Sequence, residues 1–217
     1  MRHKLLGSRS EILIAAAELF SKKGYRATTM RDIAKRLKVS KPTLYAGIGG
    51  KEAILSEIIQ FWTALTEKSL QVALQTEGGP KEKLTALIYN WSRNAVSRRA
   101  FCMVFLADER ELPPVIVAKY KRWSYQAFLR IRSCVTEGQD KGIFRSDLDA
   151  TVTTFALVSF INAVPDWFSA DGKLTIDEIS QNYVALLEGG TLTPVRRPRA
   201  KAPRPTRAKL SVVGGKA

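Results

Sequence analysis

Residues 38–55, KVSKPTLYAGIGGKEAIL, place three glycines and a lysine within five positions, the composition of a loop whose amides cradle a phosphate. The spacing rules that chemistry out. A phosphate-binding loop needs a glycine five residues before its Gly-Lys pair and a hydroxyl residue directly after it, for close backbone approach and for Mg²⁺. Tyr45 and Glu52 stand at those positions, and Glu52 also fills the third glycine of a dinucleotide fingerprint. The single histidine, His3, lies at the extreme N-terminus, so no Ser-His-Asp, Cys-His or histidine-based metal arrangement can be assembled. Cys102 and Cys134 form no CxxC or zinc spacing and read as semi-buried thiols of a reducing compartment. Asp147 and Asp149, near a turn, read as helix caps rather than acid/base groups. No enzyme, metal or cofactor is expected.

The charge is placed more informatively than the catalytic residue types. The chain of 217 residues is 45% hydrophobic and 25% charged, ordinary for a globular protein, yet its net charge is +15. Residues 1–50 carry 11 Lys/Arg against 3 Asp/Glu, residues 51–190 carry 16 against 17, and residues 191–217 carry 8 against none. A basic module, a neutral body and a basic tail fit a polyanion binder with a separate interaction domain. Arg2, His3 and Lys4 imitate a secretory leader, but Glu11 and Glu18 bound an apolar run of only six residues. The apolar stretch at 155–164 is too short to span a bilayer. A soluble, cytoplasmic protein without a membrane partner is expected.

Three short helices should organise the basic module. Ser8 and Glu11 have capping-box spacing, Ile12, Ala16, Leu19 and Phe20 follow at helical intervals, and Gly24 stops the helix. Thr28 or Thr29 can cap a second helix whose inward face is Met30, Ile33, Ala34 and Leu37. After Lys38-Val39, Ser40 caps a third helix that tolerates Pro42 in its first turn and turns Leu44 and Ile48 inward. Two short helices about a tight turn, in a basic setting, describe a helix-turn-helix.

The run EILIAAAELFSKKGYRATTMRDIAKRLKVSKPTLYAGIGGKEAIL resembles, almost end to end, the DNA-binding domain of the TetR-type transcriptional regulators. The resemblance implies that the third helix enters the major groove. Lys41, Pro42 and Thr43 would then lie at the groove, Tyr45 would hold the DNA backbone, and Lys51 would pair with a phosphate. Thr28 or Thr29 would anchor another phosphate at the second helix's start, where free amides favour anions. The family usually shows LYxHF or LYYYF where this chain has LYAGI. Gly47 there removes a phosphate contact and weakens the helix end by roughly 0.5–1 kcal/mol relative to Ala. Gly49 and Gly50 therefore read as a helix stop and turn.

From residue 51 to 189 only helices are expected, at about 51–75, 80–96, 98–106, 114–137, 147–168 and 176–188, with no strand. The fold class is all-α. Its parts are a helix-turn-helix domain (1–50, with the fourth helix running on to about 68), a helical ligand-binding and dimerisation domain (51–190), and a disordered Pro-rich basic tail (191–217). GQDKGIFRSDLDA and FINAVPDWFSADGKLTIDEISQNYVALLEGG resemble the C-terminal domain of TetR-type regulators of fatty-acid, acyl-CoA or steroid degradation. The resemblance implies a homodimer, formed by a four-helix bundle of the last two long helices, and a small apolar or acyl-CoA-like effector. Trp91, Phe101, Phe105, Trp123, Phe128, Asn162 and Trp167 are the residues expected to line its pocket. The reading is a sequence-specific regulator of a pseudo-palindromic double-stranded DNA operator, most often a repressor in that family, and the alternative is an architectural, nonspecific DNA binder.

Overall fold

The computed structural model describes residues 9–107 and 112–189. Ser8 and the basic tail lie outside the described residues. Among the described residues every regular element is a helix, nine in all. They are α1 (Arg9–Lys23), α2 (Met30–Leu37), α3 (Lys41–Ile48), α4 (Lys51–Leu74), α5 (Pro80–Ser97), α6 (Arg99–Phe105), α7 (Pro114–Asp140), α8 (Ala150–Trp167) and α9 (Ile176–Gly189). None of them is long and apolar enough to cross a membrane.

The short helices start where local chemistry satisfies their free amides. Thr29, not Thr28, caps α2: its hydroxyl accepts from the Asp32 amide at 3.2 Å, and the Asp32 carboxylate accepts from the Thr29 amide at 2.9 Å. Ser40 caps α3 by accepting from the Thr43 amide at 3.2 Å, with Pro42 in the first turn as expected. Gly49, at φ 78° and ψ −140°, ends α3 in a conformation that side chains rarely adopt, which is why glycine stands there.

Two hydrophobic cores result, and α4 belongs to both. Ile54, Leu55, Ile58, Ile59 and Trp62 pack with Ile12, Phe20, Ile33, Leu44 and Ile48 of the first three helices, together with Phe101 and Val104 of α6. Leu70 and Ala73, further along α4, pack with Leu84, Leu87 and Ile88 of α5, Ile131 and Val135 of α7, and Leu157 and Ile161 of α8. Each fully buried Ile or Leu here contributes about 1.5–3 kcal/mol. At 24 residues, α4 is a rod of about 36 Å joining the basic module to the body.

Two helix ends differ from expectation by three residues. Helix α7 runs on to Asp140, closing only when the amides of Ile143 and Phe144 both donate to the Gly138 carbonyl, at 2.8 and 3.0 Å. Helix α8 starts at Ala150 because Asp149 caps it, accepting from the amides of Thr151 and Val152, whereas Asp147 pairs with Arg145.

Candidate DNA-reading face and ligand cavity

The first turn of α3 presents its polar residues outward. Lys41 and Pro42 are exposed, Tyr45 is 50% exposed, and Leu44 and Ile48 hold the opposite face in the core. Thr43 is half-buried, with its hydroxyl 2.7 Å from that of the cap residue Ser40, and the two share one hydrogen bond. Thr29 is exposed at the start of α2.

Thr28 and Lys51 have other partners than expected. Thr28 is fully buried, and its hydroxyl donates to the carbonyls of Gly24 (2.9 Å) and Leu19 (3.3 Å), so its side chain cannot reach a phosphate. The Lys51 ammonium donates to the carbonyls of Tyr25 (2.8 Å), Thr28 (2.9 Å) and Arg26 (3.3 Å), and lies 4.4 Å from the centre of the Tyr25 ring. An ammonium has three protons, and three carbonyls take them. These contacts tie the first residue of α4 to the α1–α2 connection.

The body contains a cavity of about 570 Å³, within the range of small-molecule sites. Seven of its fifteen lining residues are aromatic. Trp91, Phe105, Trp123, Phe128 and Asn162 line it as expected, joined by Trp62 of α4 and Phe155 of α8. Phe101 and Trp167 do not. Phe101 is turned into the first core, its ring 4.9 Å from that of Phe61, and Trp167 is 52% exposed at the end of α8. The Asn162 side chain makes no hydrogen bond to protein among the described residues, and it lines the cavity with the polar side chains of Ser124, Arg132 and Thr151.

The cavity wall is bound to α4 through indole N–H groups. Trp91 donates to the Thr66 carbonyl at 3.1 Å, and Trp123 donates to the Glu67 carboxylate at 3.1 Å. Arg130 and Gln71 donate to the other Glu67 oxygen. Partial burial alone would raise the Glu67 pKa, but the hydrogen bonds from Arg130 and Trp123 and the Arg130 charge outweigh it and hold the carboxyl below its usual range. Arg132 is exposed at the cavity and donates to Thr151. Arg93 is engaged by Asp177 across α5 and α9.

The thiols do not add a nucleophile. Cys102 and Cys134 are free and buried, and burial, with Asp166 nearby, pushes Cys102 up to about 12.

Residues 12–58 match the family described as "Bacterial regulatory proteins, tetR family", and residues 77–191, more than half the chain, match "Tetracyclin repressor-like, C-terminal domain". The chain belongs to the TetR family. It is a helix-turn-helix transcriptional regulator. It is 29% identical over 187 residues to the HTH-type transcriptional repressor KstR2 of Mycolicibacterium smegmatis, across 84% of this chain and 89% of that one. Among solved structures, the TetR family regulator PfmR of Thermus thermophilus is 30% identical, with a TM-score of 0.75 over 83% of this chain and 98% of that one. AibR, solved in complex with isovaleryl coenzyme A and operator DNA, is 25% identical, with a TM-score of 0.74 over 83% of this chain and 97% of its own.

Proposed function

We propose that this TetR-family regulator is a cytoplasmic, homodimeric repressor, without catalytic activity, that leaves a pseudo-palindromic operator when an apolar acyl ligand of the acyl-CoA kind enters the cavity. Lys41, Pro42, Thr43 and Tyr45 meet the DNA, with Thr29 at a neighbouring phosphate. The observation that carries this reading is the aromatic cavity whose two indole donors end on α4. A ligand that moves Trp91 or Trp123 acts on the same rod whose first residue braces the reading unit. The apolar wall suits an acyl chain or ring system, the Asn162 amide suits its carbonyl, and Arg132 suits the phosphates of a CoA. AibR's complex with isovaleryl coenzyme A and operator DNA supports the ligand class.

The homodimer rests on α8 and α9. Val152, Phe155, Phe160 and Leu186 are exposed on these helices in the single chain, an apolar surface of the kind that marks an interface. Symmetric proteins read symmetric sites, which leads to the pseudo-palindrome.

Thermal melts with added fatty acids and their CoA esters test the ligand assignment. A ligand at a hundred times its Kd stabilises the folded state by about 2.7 kcal/mol, roughly 5–11 °C for a domain of this size. If no acyl compound raises the melting temperature, the acyl-CoA assignment fails.

A further inference from the structure

Trp123 of α7 lines the cavity and touches both helices that lead from it to the reading unit. Its indole N–H donates to the Glu67 carboxylate of α4 at 3.1 Å, and its ring stands edge-on to Phe105 of α6, with centres 6.0 Å apart. Glu67 is held from other sides as well. Arg130, seven residues further along α7, donates to its second oxygen, and so does Gln71 of α4 itself. One residue before Glu67, the Thr66 carbonyl accepts the indole N–H of Trp91. Two cavity tryptophans therefore end on adjacent residues of α4, about 24 Å along that helix from its first residue. At that distance a tilt of roughly 5° moves the start of α4 by about 2 Å.

We propose that Glu67 is the positioning residue through which the cavity governs the operator. The bond from Trp123 holds α4 in its DNA-binding setting, and an effector that turns the indole away from the carboxylate releases it. This deepens, and rests on, the proposed release by an acyl ligand. The two indole bonds differ in kind. Trp91 ends on a backbone carbonyl, whereas Trp123 ends on an ionised side chain, the stronger sort of acceptor. An indole has one donor and no acceptor, so turning it away breaks the bond outright. A ligand shifts α4 only by favouring one setting over the other, and a bond made in one setting and broken in the other transmits that preference.

The consequence is specific. Protein without this bond should behave as though ligand were always present. Its operator affinity falls to the level of liganded wild type, and ligand lowers it no further. A residue that only supports folding acts otherwise: it scales operator affinity with and without ligand alike and leaves their ratio unchanged.

The experiment measures operator Kd for wild type, Trp123→Phe, Glu67→Met, the double variant and Arg130→Met, each with and without a saturating acyl-CoA ester. The ester is the one, from isovaleryl to palmitoyl coenzyme A, that most raises the wild-type melting temperature. Wild type should lose roughly tenfold in operator affinity on adding it. Trp123→Phe and Glu67→Met remove the donor and the acceptor of the same bond. Each should bind operator roughly tenfold more weakly without ester and lose less than about twofold more with it, and the double variant should match either one. Arg130→Met keeps the indole bond and should respond within about twofold of wild type. Single variants with undiminished affinity for operator in the absence of ester would overturn the proposal. So would single variants that keep the wild-type ratio, or loss of the response in Arg130→Met alone. If wild type itself gives no response, release by an acyl ligand fails and the proposal falls with it; failure among the variants beside a responding wild type strikes the proposal alone. Should Glu67→Met fail to fold, Trp123→Phe decides by itself, since it keeps an aromatic wall and every charge.

Discussion

Trp123, on the cavity wall, donates its indole N–H to the carboxylate of Glu67 on α4, 3.1 Å away. This places a charged hydrogen bond between the proposed effector and the helix that braces the reading unit. Glu67→Gln leaves the indole a weaker, neutral acceptor and deprives Arg130 of its partner. The pair with Arg130 is partly exposed, so a stability loss of about 1 kcal/mol is expected. The Glu67 pKa is lowered in the folded protein, so the benefit is fully present above the ordinary glutamate value of about 4.3 and is lost as pH falls through the lower, folded value. Denaturant melts should show a constant difference between wild type and Glu67→Gln from pH 7 to about 5, shrinking below that. A difference that persists undiminished to pH 3 would mean that the carboxylate's charge is not what matters.

Gly138 sits inside α7, where alanine normally stabilises a helix by about 1 kcal/mol. Here a β-carbon would fall 2.1 Å from the Phe144 ring. Gly138→Ala is therefore expected to destabilise by about 1–3 kcal/mol, and Gly138→Ala/Phe144→Leu to recover part of it, measured by thermal melts. A raised melting temperature in the single variant would disprove the close packing.

At the DNA face, Thr43→Ala should cost about 1–3 kcal/mol on the operator and change base preference at one position of each half-site. Lys41→Ala should weaken binding and, if its contact is to phosphate, reduce the salt slope by about one unit. Binding titrations in which both variants match wild type would remove α3 from the groove.

Much of this was legible beforehand because it is local. Caps, glycine stops and helical spacing fix the helices, and Ser40, Asp149 and Gly49 occupy the roles their types suggest. Sequence is silent where long-range contacts decide. Nothing near Lys51 in sequence says that carbonyls 23 to 26 residues earlier will surround its amine. Thr28 and Thr29 are the same type one position apart, and only packing buries the first. Aromatic residues at helical spacing show that a core or cavity exists, but which side of α6 Phe101 takes depends on α4 and Phe61 opposite. A lone acid in a helix, such as Glu67, looks solvated until Trp123 and Arg130 arrive from 56 and 63 residues away.

Dimerisation can be tested at the exposed positions of α8 and α9. Val152→Arg and Leu186→Arg together should convert the dimer to a monomer in light scattering and lower operator affinity at least tenfold, since one reading head spans only a half-site. A monomer that binds the operator undiminished would refute the two-fold reading mode.

The most direct test of the account is titration of acyl-CoA esters into the protein–operator complex at fixed salt, followed by fluorescence anisotropy of the labelled duplex. A tenfold loss of DNA affinity requires about 1.4 kcal/mol of preference for the released state. The account predicts at least that loss for one ester and none for free coenzyme A, which lacks the acyl group the aromatic cavity would hold. If esters that raise the melting temperature leave operator affinity unchanged, the cavity is not coupled to the reading helices, and the account is contradicted.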